Sequence, residues 1–127
     1  MTAPQTIMIV DDQSATRMLI RSSLRALGYN NIIECCDGEA ALGVLAERPT
    51  QLIISDVNMP KLDGLGLLRA VRANPEFKGI PFIMLTGRGE AAVVKEAMQI
   101  GINGFLVKPF AMGPLKQKLE ATIGKPN

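Results

Sequence analysis

Five short apolar stretches recur along the chain at fairly even spacing: Thr6 to Val10, Asn31 to Cys36, Gln51 to Ser55, Ile80 to Leu85 and Gly104 to Val107. Each reads as a buried strand. Between them, apolar residues return at helical intervals over Ser14 to Leu27, Glu39 to Arg48, Leu65 to Ala73 and Glu90 to Ile100, and a fifth such segment runs from Ala111 to Ile123. Stop signals close the first four, at Gly28, Pro49, Asn74-Pro75 and Gly101. Strict alternation of apolar strands with helices predicts an α/β (βα)5 fold, a doubly wound five-stranded parallel sheet covered by helices on both faces and joined by right-handed crossovers. The pattern leaves no linker, repeat or low-complexity tract, so residues 1–127 are expected to form one domain with no effector domain attached.

Open sheets of this kind bind ligands beyond the carboxyl ends of their strands, near the switch in strand order. The first strand is followed by Asp11 and Asp12, the third delivers Asp56, the fourth ends at Thr86, and the fifth is followed by Lys108 and Pro109. The second ends at Cys36 and Asp37. With strand order 2-1-3-4-5, two acidic ends, a hydroxyl and an ammonium converge on one edge.

Composition narrows the chemistry. Fourteen Lys and Arg against twelve Asp and Glu leave a net charge of only +2, and the basic residues are scattered, which argues against nucleic-acid and membrane partners. Neither a leader in MTAPQTIMIVDD nor an apolar run of membrane-spanning length is evident, so a cytoplasmic location is the default. Histidine is absent, which removes His-based triads, His metal sites and a phosphohistidine within this chain. Cys35 and Cys36 are neighbours on an expected strand; their side chains point to opposite faces, which disfavours a mutual disulfide.

Three carboxylates crowded at one sheet edge repel one another unless a cation neutralises them. A hard divalent ion is implied, and a site with few direct carboxylates and open positions suits Mg2+ better than a fully caged Ca2+. A phosphate-like ligand would complete it. Asp56 would then attack a phosphoryl group in line, with Lys108 neutralising its oxygens and the Thr86 hydroxyl donating to one of them.

At these residues the sequence resembles the receiver domains of two-component response regulators, and among them the single-domain, CheY-like chemotaxis type. The segments IVDDQSATRMLIRSSLRALGYNNIIECCDGEAAL, ISDVNMPKLDG, MLTGRGE and GFLVKPF carry the likeness over essentially the whole chain. The resemblance implies a flavodoxin-like fold, Asp56 as the phosphorylation site, and Mg2+ held by Asp12, Asp56 and the backbone carbonyl of Asn58, with Asp11 acting through water. It also implies Thr86 and Phe105 as a switch pair, Lys108 at the phosphate followed by a cis peptide to Pro109, and Asn58 and Arg88 flanking the path of the hydrolytic water. The expected function is that of a monomeric, stand-alone response regulator, a phosphoacceptor rather than an enzyme acting on external substrates. It would take phosphate from a sensor histidine kinase or histidine-phosphotransfer protein and switch binding to a target such as the flagellar switch. The alternative is a phosphorelay shuttle or phosphate sink. Phe105 stands where the enteric chemotaxis type has tyrosine, and Arg88 where it has an acid.

Rival readings fail on named positions. Phosphatases of the haloacid dehalogenase type need a second carboxylate two residues after the nucleophile, where this chain has Asn58. An EF-hand loop in DVNMPKLDGLGL would need glycine at Lys61 and glutamate at Leu67. GRGEAA matches a dinucleotide fingerprint weakly, late in the chain and without the acidic residue about 20 positions on. A flavin carrier would lack tryptophan and have one tyrosine for stacking. On the first helix, Ile20, Leu24 and Leu27 form a core stripe, and Ala15, Met18, Leu19, Ser22 and Ala26 form a second. The second either packs internally or docks a kinase or phosphotransfer bundle through Ala15, Met18 and Ser22.

Overall fold

The computed structural model describes residues 5–126; the expected domain limits at residues 1 and 127, and the first four residues of the N-terminal stretch, lie outside them. The described residues alternate β1 (Ile7–Val10), α1 (Ser14–Ala26), β2 (Ile32–Cys35), α2 (Gly38–Glu47), β3 (Leu52–Asp56), α3 (Gly64–Ala73), β4 (Phe82–Thr86), α4 (Ala91–Ile100), β5 (Gly104–Val107) and α5 (Met112–Ile123). The strands form one parallel sheet in the order β2-β1-β3-β4-β5. β1 and β3 are neighbours, so the switch in strand order falls between them, and the loops after both open on the same edge.

Alternating side chains of the central strands feed two separate cores. Met8, Val10, Ile53, Phe82 and Met84 pack with Leu45, Leu67, Leu68, Val71 and Ala97 of α2, α3 and α4. Ile7, Ile9, Leu52, Ile54, Ile83 and Leu85 pack with Ile20, Leu24, Leu115 and Leu119 of α1 and α5. Burial on both faces explains why β1, β3 and β4 carry no polar alternation.

The expectation of full burial fails at the sheet edges. On β5 only Leu106 is buried, while Phe105 and Val107 stand exposed beside α4. On β2 the exposed Glu34 pairs with Arg17 and Arg21 of α1. An edge strand has one neighbour instead of two, and the helices do not reach far enough round to cover it. Cys35 is buried, Cys36 exposed, and both are free thiols, as the alternation requires.

Element ends fall where capping chemistry places them. Asp37 accepts from the Ala40 amide at 2.8 Å and starts α2 one residue before Glu39; Asp63 accepts from the Gly66 amide at 2.8 Å and starts α3 at Gly64. Near the end of α3, Arg72 donates to the carbonyls of Gly101 (2.8 Å), Ile80 (2.7 Å) and Lys78 (3.0 Å), and to Asn103 Oδ1 (3.3 Å). One guanidinium thereby ties α3 to the entry of β4 and to the turn between α4 and β5.

Candidate functional site

β3 carries its last residue, Asp56, to the centre of the carboxyl edge, where it is nearly buried. Gly64 holds the following loop shut: its amide donates to Val57 O at 2.8 Å, and a Cβ on it would lie 2.2 Å from Asp56 O. The fully buried Asp11 follows β1, and its Oδ1 accepts from the Gln13 amide at 2.9 Å, fixing the turn that leads into α1. Arg17 clamps the same turn by donating to Asp11 O at 2.6 Å. Asp12 is exposed at the mouth. Carboxylate oxygens of Asp11, Asp12 and Asp56 all lie within 4.8 Å of one another.

Lys108 enters from the end of β5, one residue past the Thr86–Val107 register pair, and its amide donates to Thr86 O at 2.7 Å. Its Nζ reaches Asp56 Oδ1 at 2.8 Å and Asp11 Oδ2 at 3.5 Å. The Lys108–Pro109 peptide is cis. Burial, opposed in part by the Gln13 hydrogen bond and Lys108 and reinforced by the charge of Asp56, holds the Asp11 carboxyl above its usual range. Burial pulls the Lys108 ammonium down, but its hydrogen bond to Asp56 and the charges of Asp56 and Asp11 more than reverse this and raise it. Two of the three carboxylates, Asp11 and Asp56, thus share one ammonium, and among the described residues no cation pairs with Asp12. That surplus of hard oxygen donors fits a small divalent cation.

The expected convergence of strand ends is therefore present: Asp11, Asp12, Asp56 and Lys108 meet, and Thr86 lies beside them. Asp37 is not part of the group; the Ala40 amide holds its carboxyl below the usual range, in the role of a helix cap. Thr86 is 2% exposed and shares a sheet face with Phe105 and Val107. These three line a cleft of about 290 Å3 with Gly87, Arg88, Glu90 and Val94, so both members of the expected switch pair border one space. Asn58 and Arg88 are both exposed, but the Asn58 amide donates to Glu90 Oε2 at 2.9 Å.

Sequence reading missed Arg17, Gly64 and Glu90, each of which acts through a backbone or loop contact that no spacing announces. Of the two arrangements open for the second α1 stripe, the structure takes the exposed one: Ala15, Met18, Leu19, Ser22 and Ala26 all face solvent, with Met18 and Leu19 each 58% exposed. The loop read against an EF-hand keeps one feature of such loops, since Lys61 takes a left-handed φ of 66°. Its twelfth position, Leu67, is fully buried in the core, which leaves no ligand there.

Residues 7–120 match the response regulator receiver domain family. The chain belongs to that family. It is 45% identical to the "Probable chemotaxis protein CheY" of Rhizobium etli, over 93% of this chain and 92% of that one. Among solved structures, the receiver resembles chemotaxis protein CheY4 of Vibrio cholerae, at 32% identity and a TM-score of 0.86 over 95% of this chain and all of that one. It also resembles the receiver domain of a sensor histidine kinase from Pseudomonas aeruginosa, solved with a magnesium ion coordinated in its active-site cleft. That match has 31% identity and a TM-score of 0.85, over 97% of this chain and all of the other. No helix among the receiver's described residues is long and apolar enough to cross a membrane.

Proposed function

We propose that this receiver accepts a phosphoryl group on Asp56 from a partner phosphohistidine and changes its binding to a target protein accordingly, in chemotaxis signalling. The observation that carries the reading is the Asp56 carboxylate at a strand end, held at 2.8 Å by Lys108 with two further carboxylates beside it. An Asp56 oxygen attacks phosphorus as the bond to the donor nitrogen or acyl oxygen breaks, and the leaving group keeps that electron pair. Lys108 shifts its hydrogen bonds toward the incoming phosphoryl oxygens, and the Thr86 hydroxyl donates to one of them. Asp12, Asp56 and the backbone carbonyl of Asn58 are the groups that would hold Mg2+, with Asp11 acting through water; the ion would supply the positive charge that lets an anionic donor approach.

The magnesium-bearing relative from Pseudomonas aeruginosa supports that assignment. The product is a state of the protein rather than a released compound, so we class the receiver as a signalling phosphoacceptor, cytoplasmic like its proposed partners. The exposed apolar face of α1 suits the helical donor, and the Phe105 and Val107 surface with its cleft suits a target. The test is intact mass after incubation with a small acyl phosphate and Mg2+. Wild type should gain one phosphoryl group, labile to hydroxylamine, and Asp56→Asn none. Equal incorporation by the variant would sink the assignment. Capture of a histidine-phosphotransfer protein, with no target bound in a phosphorylation-dependent way, would mark a shuttle instead.

A further inference from the structure

Glu90 is the N-cap residue of α4, yet its carboxylate makes no capping bond to that helix. It turns back over the mouth of the site. One oxygen, Oε1, accepts from the Gly87 amide, and the other, Oε2, accepts from Asn58 Nδ2 at 2.9 Å. Gly87 directly follows Thr86, and Asn58 lies two residues after Asp56, so a single side chain bridges the loop of the acceptor to the loop of the hydroxyl. The two donors it occupies are neutral N–H groups, a pair suited to an anion. The chain fills that pair with its own negative charge, a fourth carboxylate at a site that already carries three.

We propose that Glu90 is a tethered anion that occupies these donors in the resting receiver and is displaced by the phosphoryl group, a positioning role that rests on Asp56 being the acceptor. A phosphoryl group on Asp56 brings about −1.5 to −2 charges and three acceptor oxygens to the same mouth. Two anions at one donor pair repel, and the more highly charged one takes the hydrogen bonds. The freed carboxylate then lies at the start of α4, where the first-turn N–H groups of Ala91, Ala92 and Val93 have no side-chain cap and the helix dipole favours negative charge. Occupation of the site and the charge at the α4 N-terminus are thereby exchanged one for the other. This route from phosphate to α4 does not pass through Thr86 or Phe105.

The probe is beryllofluoride with Mg2+, titrated calorimetrically into wild type, Glu90→Gln and Glu90→Ala. Both variants lack the competing charge and should bind more tightly than wild type, Glu90→Ala by roughly three- to tenfold, the worth of one or two exposed hydrogen bonds. A residue that merely stapled the loop would give the opposite sign, because Glu90→Ala would loosen the donors and weaken binding, with Glu90→Gln restoring it. Wild-type or weaker affinity in Glu90→Ala overturns the proposal while leaving Asp56 as the acceptor. Absence of binding to wild type overturns both. In 1H–15N spectra, the amides of Ala91 to Val93 should move on beryllofluoride addition in wild type and much less in Glu90→Ala; equal movement in the two would refute the exchange onto α4.

Discussion

Gly64→Ala and Gly43→Ala are the same chemical change, both inside helices, and they should move stability in opposite directions. Helix propensity favours the change by about 0.5–1 kcal/mol in a helix interior such as Gly43, and by no more than that at Gly64, the first residue of α3. At Gly43, in the middle of α2, an added Cβ meets nothing within 4 Å, so the propensity gain stands. At Gly64 it would lie 2.2 Å from Asp56 O and 3.0 Å from Val57 Cα, whereas ordinary contact begins at 3.4 Å. The obstacle is backbone at the end of a central strand, so no rotamer relieves it. Forcing about 1 Å of separation into a packed site costs ~1–3 kcal/mol, which outweighs the propensity term. Urea unfolding should place Gly43→Ala above wild type and Gly64→Ala below it, the latter with a melting point lower by roughly 3–5 °C per kcal/mol lost. The same displacement moves the acceptor, and misplacement on this scale costs up to about 100-fold in rate, read as phosphoryl incorporation from a small acyl phosphate. A Gly64→Ala protein as stable and as reactive as wild type would refute the close approach of α3 to Asp56.

Lys108→Met leaves the Asp11 and Asp56 carboxylates facing each other without their ammonium; phosphorylation should fall at least about tenfold, and stability by about 1–2 kcal/mol after allowance for its partial exposure. Asp11 has its native pKa raised above the unfolded value of 3.8, so its protonated form is favoured on folding and its contribution to stability falls as pH rises from 3.8 through the native value. Without divalent cations, the stability of Asp11→Asn relative to wild type should therefore grow with pH over that window, and a flat difference in urea midpoints would contradict the burial of this charge. Thr86→Ala and Phe105→Ala should keep phosphorylation but weaken phosphate-dependent target binding by about 5-fold or more, measured by titration of the phosphorylated forms. Met18→Lys should slow transfer from a phosphotransfer protein while leaving reaction with a small acyl phosphate unchanged, since the side chain is 58% exposed on α1 and outside the site.

The positions of the strands and the polar residues at their ends were legible because a buried parallel strand leaves a nearly uninterrupted apolar run; the order 2-1-3-4-5, on which the meeting of Asp11, Asp12, Asp56 and Lys108 depends, was an expectation of the fold type that apolar runs do not encode. Where a strand has only one neighbour the apolar run misleads: Gly104 to Val107 reads as interior, but two of its three side chains, Phe105 and Val107, face out. Glu90 was read as the first residue of a helix and is the N-cap, one residue before Ala91; its reach back to Gly87 and Asn58 depends on a loop path that periodicity does not encode. Gly64 looked like one more residue of a turn, because the approach of α3 to the Asp56 carbonyl is a matter of layer spacing. Asp37 shows the converse, a carboxylate at a strand end whose hydrogen bonds are spent on capping.

Arg72 gives α4 a fixed end. Its guanidinium grips Gly101 O, the C-cap carbonyl, and simultaneously the backbone at Lys78 and Ile80, so the lower end of the helix is anchored to the sheet and to α3. At the upper end, where Val93 packs on the core, lie the Glu90 bridge and the open cleft beside Phe105. Ten residues of helix make a lever about 15 Å long, so a tilt of roughly 10° about the anchored end carries the free end about 2.6 Å. A change at the mouth of the site thus acts directly on the free end of α4, so the displacement is largest beside the phosphoacceptor and dies away toward Gly101.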